Sequence, residues 1–423
     1  MHRLPAVDWL PMSPRRFALF LPVILTAAGT PSNAGAEPLL ETTRLELTTG
    51  DRAGQPSVAV DPREGFVLTW QERDGDTASL WYAVLDRDGR ELRRARIASG
   101  ASWFVNWADF PSLAVLENGD WVTHYLVESG GSPHAYDIQI VRSTDRGRTW
   151  SAPVSPHTDG TPTQHGFVSL TPAGGDHVLV VWLDGRLGAA SDDAAHGDHH
   201  EEEGPMSLRS TILDREGRRA EERMLDDSTC SCCQTDAVRL GNRTLVAYRD
   251  RSPEEIRDIA VLARDAEGEW SAPRTLHADG WRIEACPVNG PALAASRDRF
   301  LAVWPTLASG TYEVRYTLGT AEAAGKAHTL AGGDGVLGRV DAAPLRDDFL
   351  VSWLDGDSTA ARVRLARIDV SGRIVARATI EAPSSVRMFG VPRLASLGDR
   401  ALLAWAEPRR DGAGSGIAIA LVR

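Results

Sequence analysis

The sequence has little cysteine, 4 residues in 423, which excludes a small fold built on disulfides. It is also short of positive charge: 46 Lys and Arg stand against 58 Asp and Glu, for a net charge of −12. A general nucleic-acid binder grips phosphates with Lys and Arg, so none is expected, although a local basic pocket is compatible with this balance. Long apolar runs are scarce. The one near the start, Phe17–Ala28, has 12 residues, against the roughly 20 that a membrane-crossing helix needs. Helical stripes are missing too, which argues against a helical solenoid. The remaining composition, 42% hydrophobic and 25% charged, is that of an ordinary globular chain.

Arg15 and Arg16 precede that apolar run, and small residues ending in Ala34-Gly35-Ala36 follow it. A charged start, an apolar centre and an A-x-A site are the layout of a secretory signal. The expectation is a signal over residues 1–36 and a mature chain over 37–423, exported to the periplasm or beyond the cell, with no membrane span.

What the sequence does contain is a repeat. Short apolar strands ending in Trp or Tyr recur as FVLTW at Phe66–Trp70, WVTHY at Trp121–Tyr125, VLVVW at Val178–Trp182 and TLVAY at Thr244–Tyr248. They continue as FLAVW at Phe300–Trp304, FLVSW at Phe349–Trp353 and ALLAW at Ala401–Trp405. The terminal aromatics are 55, 57, 66, 56, 49 and 52 residues apart. A period near 50 residues with several short strands per unit is the signature of propeller blades. The first unit reads as four strands, around Pro56–Val60, Phe66–Trp70, Leu80–Asp86 and Arg94–Ala98. Asp-x-x-Gly turns at Asp86–Gly89, Asp214–Gly217 and Asp369–Gly372 supply hairpins, since Asp caps the turn and Gly takes a positive φ. The last unit lacks an outer strand, and the alternating segment Thr43–Thr49 is free to complete it and close the ring. The expected fold is therefore an all-β single β-propeller of seven four-stranded blades, six being the alternative count. Two β-sandwiches are the rival architecture, and the even, unbroken spacing speaks against them.

Ser143-Thr144-Asp145-Arg146-Gly147-Arg148-Thr149-Trp150 matches the Asp-box S-x-D-x-G-x-T-W, and through it the chain resembles the sialidase-like (BNR-repeat) propellers. A degraded copy stands at Asp265–Trp270. The resemblance implies a structural box in which Ser143 and Asp145 bond the turn, Gly147 permits the bend, and Thr149 and Trp150 complete the motif. It also implies, as an activity, exo-glycosidase chemistry of the sialidase type on an acidic glycan. Sialidases of this kind open their first blade with a carboxylate-binding arginine. Here that place reads Gly54-Gln55-Pro56-Ser57, so the resemblance assigns no catalytic residue.

Strand direction allows one inference about sites. Loops joining strands 2 and 3 of a blade emerge at the same end of the ring as those leading into the next strand 1. The distinctive residues fall in these two sets, while the Asp-box and the Asp-x-x-Gly turns fall at the other end. Cys230, Cys232 and Cys233 lead into the fourth unit and Cys286 into the fifth, so all four can meet. Export favours disulfides; thiolates binding zinc or copper, and redox-active thiols, stay open as alternatives. His196–Glu203 adds a run of His and carboxylates, read either as a solvated loop or as a metal collector.

Arg186, Arg249 and Arg251, with Asp184 and Asn289, are candidate contacts to a carboxylate or phosphate on a glycan or other anionic ligand. Their alternative is a salt-bridge network bracing the loops. Asp250 and Glu284 are candidate acids for glycoside hydrolysis. Use of the surface to bind another protein is a further alternative.

Overall fold

The computed structural model describes residues 39–130, 132–189, 206–357, 360–382, 390–409 and 414–423; the candidate signal and the His196–Glu203 run lie outside the described residues. Seven antiparallel sheets follow one another along the chain. They form blades over residues 53–100, 113–143, 165–229, 236–277, 292–332, 336–382 and 393–422, here numbered 1 to 7. Within each, neighbours in sequence are neighbours in the sheet. The first strand of each blade packs on the first strand of the next, and Arg393–Leu397 of blade 7 returns to Ala53–Asp61 of blade 1. The chain is thus an all-β seven-bladed propeller.

The ring is closed as the sequence led one to expect. Thr42–Leu45 pairs antiparallel with Ser415–Val422, with Thr42 opposite Val422 and Leu45 opposite Ile419. Blade 2 departs from the four-stranded pattern: its sheet has three strands, and a fourth is reduced to a bridge between Ile140 and Val154. Pro153 and Pro156 flank Val154 and offer no backbone N–H, so a longer ladder cannot form there.

The repeated aromatics are the mortar between blades. Trp70, Trp182, Trp304, Trp405 and Tyr248 are completely enclosed. Each packs on the preceding blade: Trp70 on Leu402 and Ala404, Trp182 on Ile138, Trp304 on Leu245 and Val261. Truncating such a ring to Ala costs about 3–5 kcal/mol, so the period seen in the sequence is the period of the interblade core.

The Asp-box closes the outer hairpin of blade 2. Ser143 Oγ accepts the Gly147 N–H at 2.7 Å, and Asp145 accepts the Thr149 N–H at 2.9 Å and its hydroxyl at 2.7 Å. Gly147 has φ of 86°, and a Cβ there would come within 2.8 Å of the Tyr82 and Trp121 rings. Trp150 meets Tyr82 edge-on at 6.4 Å. Arg146 of the box bonds Asp61, in the first turn of blade 1, at 3.1 Å, which puts the plain turns together at one end. No helix among the described residues is long and apolar enough to cross a membrane.

Candidate functional site at the sulfur-bearing mouth

At the opposite end, two loops meet. One joins the outer strand of blade 3, Arg223–Thr229, to the inner strand of blade 4, Asp236–Leu240. It is pinned by the Cys230 N–H to Arg249 O at 3.0 Å, by Gln234 Nε2 to Ala108 O at 2.6 Å and by Thr235 Oγ1 to Phe167 O at 2.8 Å. The other, around Trp281–Gly290, is held by Arg257 N–H to Trp281 O at 2.8 Å and Ile283 N–H to Glu255 O at 3.0 Å.

These pins bring all four sulfurs together. Cys232 and Cys286 form a disulfide between the loops. Cys230 and Cys233 are buried thiols whose sulfurs lie 2.8 Å apart, and Cys230 Sγ is 3.8 Å from Cys232 Sγ. Cys286 is exposed and Cys232 half-buried, so the disulfide caps the dithiol at the surface. Burial works against ionising Cys230, but Cys233, the Cys232 amide and the cations Arg249 and Arg257 bring its thiol down to about 6. Arg257 Nη1 lies 3.6 Å from the sulfur. Burial and the bond to Cys230 push Cys233 the other way, above the ordinary thiol range. The charges and hydrogen bonds around the pair thus favour the thiolate at Cys230 over that at Cys233.

The predicted ligand arginines need correction. Arg249 is buried, and its guanidinium donates to Asn289 O at 2.8 and 2.9 Å, Arg257 O at 2.6 Å and Pro305 O at 2.8 Å, with the Trp281 ring 4.7 Å away. A buried guanidinium has to be satisfied, and here carbonyls of its own chain do so. Arg186 faces Asp184 at 2.6 Å, Glu222 at 2.9 Å and Asp159 at 3.2 Å. Arg251 pairs with Glu255 at 2.8 Å. Asp184 also accepts Trp182 Nε1 at 2.8 Å. Asn289 ties blade 5 to blade 6, donating to Leu337 O at 3.2 Å and accepting the Arg339 N–H at 2.8 Å. The bracing network describes these five residues better than a ligand cradle does.

The acid candidates divide. Asp250 is half-buried, and desolvation, helped by Asp226, Asp258 and Asp227, raises it to about 6 against the pull of the Arg251 amide. Glu284 is exposed and paired with Arg282 at 3.1 Å, which is not the desolvated position a general acid requires. Sequence reasoning missed a set of interblade staples. Asp109 accepts Phe167 N–H at 2.8 Å, Asp236 accepts Leu293 N–H at 2.7 Å and Asp341 accepts Leu394 N–H at 2.6 Å, each reaching from one blade to the next. Asp109 stands just ahead of an inner strand, Asp236 at the start of one and Asp341 midway along one, so no shared position marks them in the sequence.

Desolvation raises Asp109 to about 7, against hydrogen bonds from Tyr136 and Phe167. The folded chain therefore binds a proton between about pH 7 and the ordinary carboxylate range that the unfolded chain does not bind. Wild type should gain stability relative to Asp109→Asn as pH falls from about 8 to about 5. Urea unfolding at the two pH values checks this, and a constant difference contradicts it.

Two other features offer less. His157 and His165 stack with ring centres 3.9 Å apart and planes 5° apart, close to Asp137, Asp159 and Asp184. Lone pairs of parallel rings lie in their own planes, so the two cannot point squarely at one ion between them. The central channel, lined by Ser57, Asp109, Phe110, Ser169, Gln234 and Arg393, has a cavity of about 120 Å³, well under the roughly 300–1,000 Å³ of a usual ligand pocket.

No protein-family model matches the chain, and no curated protein does. Among solved structures, a protein of unknown function from Dyadobacter fermentans is similar over 90% of this chain and 98% of its own, with 12% identity and a TM-score of 0.54. The polysaccharide lyase Uly1 is similar over 87% and 89%, with 9% identity and a TM-score of 0.50. The intramolecular trans-sialidase from Ruminococcus gnavus matches over 76% and 94%, with 9% identity and a TM-score of 0.49. The likeness is one of fold alone, and at such identities fold does not carry function.

Proposed function

We propose that this chain is an exported sialidase-like propeller whose working site is the sulfur cluster at the channel mouth, where it exchanges thiols and disulfides with an external partner. The observation that carries this reading is an exposed disulfide, Cys232–Cys286, lying 3.8 Å above a buried thiol with a lowered pKa. An external thiolate can reach Cys286, and attack there releases Cys232.

The test uses purified protein with a small dithiol and either insulin or oxidised glutathione as disulfide probe. Wild type should accelerate exchange by about tenfold or more over the uncatalysed rate, and Cys286→Ser should abolish the acceleration. No acceleration with either probe ends the proposal. Stoichiometric zinc or copper in the purified protein, with four reactive thiols after its removal, would assign the cluster to metal binding instead.

A second reading, recognition or hydrolysis of an acidic glycan at the same mouth, is favoured by two cations not picked out from the sequence. Arg339 lies 4.1 Å from the Trp107 ring and Arg393 lies 5.0 Å from that of Phe110, a pairing of cations and flat rings suited to an anionic sugar. Turnover of a fluorogenic sialoside, or glycan-array binding lost in Arg393→Ala, would support it. A background rate together with an empty array would remove it.

A further inference from the structure

The Cys230 and Cys233 thiols share one loop with Cys232, whose disulfide to Cys286 crosses to the loop of the next blade, so the four sulfurs form one connected group. We propose that they are a two-electron relay, in which the buried dithiol and the surface disulfide exchange places within the chain. The inference rests on the sulfur reading above, but it needs no external partner.

The steps balance internally. The Cys230 thiolate attacks Cys232 Sγ; the Cys230–Cys232 bond forms, the Cys232–Cys286 bond breaks, and Cys286 leaves as a thiolate that takes a proton from solvent. Cys233 then gives up its proton and attacks Cys230 Sγ; the Cys230–Cys233 bond forms, the Cys230–Cys232 bond breaks, and Cys232 leaves and is protonated. The buried pair is oxidised by two electrons and the surface pair is reduced by the same two. No outside oxidant enters.

Geometry supports each step. Cys230 is the thiol with sulfur contacts to both its buried partner and the disulfide, 2.8 Å to Cys233 and 3.8 Å to Cys232, so it is the natural hinge of the exchange. The C-x-x-C spacing of Cys230 and Cys233 lets the second disulfide close within one loop. Arg257, 3.6 Å from Cys230, favours the attacking thiolate, and its own partner Glu255 at 2.7 Å keeps it in place. Cys286 is the exposed member, and Ser231 Oγ, 3.9 Å away, is the neighbour that can steady it as a leaving group. The result is a site that shows solvent a disulfide in one state and a dithiol in the other, with the same total of electrons.

The experiment is alkylation of the native, full-length mature protein by N-ethylmaleimide without reductant, followed by tryptic peptide mapping. One peptide, Met224–Arg239, carries Cys230, Cys232 and Cys233; another, Ile283–Arg297, carries Cys286. The relay predicts unlinked peptides: label on Cys232 and Cys286, and an internal Cys230–Cys233 disulfide. Cys230→Ser should slow labelling of Cys286 by about tenfold or more, because the attacking thiolate is gone. Cys233→Ser should stop halfway, with Cys286 labelled and Cys230 bonded to Cys232. Peptides that stay linked through Cys232–Cys286, with label only on Cys230 and Cys233 or on neither, would overturn the relay. Circular dichroism of each variant separates these outcomes from misfolding. A static linkage combined with normal insulin reduction would sink the relay alone and leave external exchange standing.

Discussion

Arg249→Ala is expected to lower the free energy of unfolding by about 3–5 kcal/mol, the largest loss for any single polar residue at the mouth. The side chain is buried and donates to three carbonyls, from Asn289, Arg257 and Pro305, so its removal leaves these acceptors unpaired in a dry joint between blades 4 and 5. It also strips the face of Trp281 and leaves a hole the size of a guanidinium. Arg249→Lys keeps a charge but cannot reproduce a fork aimed at three acceptors, so it should recover only part of the loss. Urea unfolding at neutral pH measures both. A loss below about 1 kcal/mol for the alanine variant would mean that water reaches the carbonyls and that the residue is not the brace described.

Deleting residues 39–47 should do comparable damage by another route. The segment contributes Leu40 to the core of blades 6 and 7, Leu45 and Leu47 to that of blades 7 and 1, and the outermost strand of blade 7. Burial of those side chains together with the strand pairing is worth about 5 kcal/mol, or a fall in melting temperature of roughly 6 °C for a domain of this size. The deletion also leaves Ser415–Val422 as an open edge able to pair with a second molecule. Light scattering should therefore detect dimers or larger species, which a synthetic 39–47 peptide added in excess should disperse. An unchanged melting point and a monomer would show that closure contributes little.

The fold was legible because its signals are local and repeated. Trp70, Trp182, Trp304, Trp353 and Trp405 occupy equivalent positions in the second strands of their blades, and that position faces the neighbouring blade. Strand parity alone was enough to bring Cys230, Cys232, Cys233 and Cys286 together. Which sulfurs bond was not legible, because pairing is set by distances within two irregular loops. The arginines misled for a related reason. Arg249 directly follows Tyr248 at the end of a strand, and only the folded positions of Asn289 and Pro305, 40 and 56 residues further on, show what its donors reach. Blade 2 lost its fourth strand to Pro153 and Pro156, a local signal that was present but outweighed by the regularity of the repeat. The staples Asp109, Asp236 and Asp341 carry no motif, since an aspartate at or near an inner strand looks like any other until its acceptor role across the joint is seen.

The pairing of Thr42–Leu45 with Ser415–Val422 also dictates an order of events. A growing polypeptide can stack its early units as they emerge, but the seventh cannot be finished until Ser415–Val422 has been made, so a chain still short of that strand holds two unmatched β edges. Final locking is therefore a long-range step, slow by its topology, and the interval before it is when a holdase chaperone would have the most to protect.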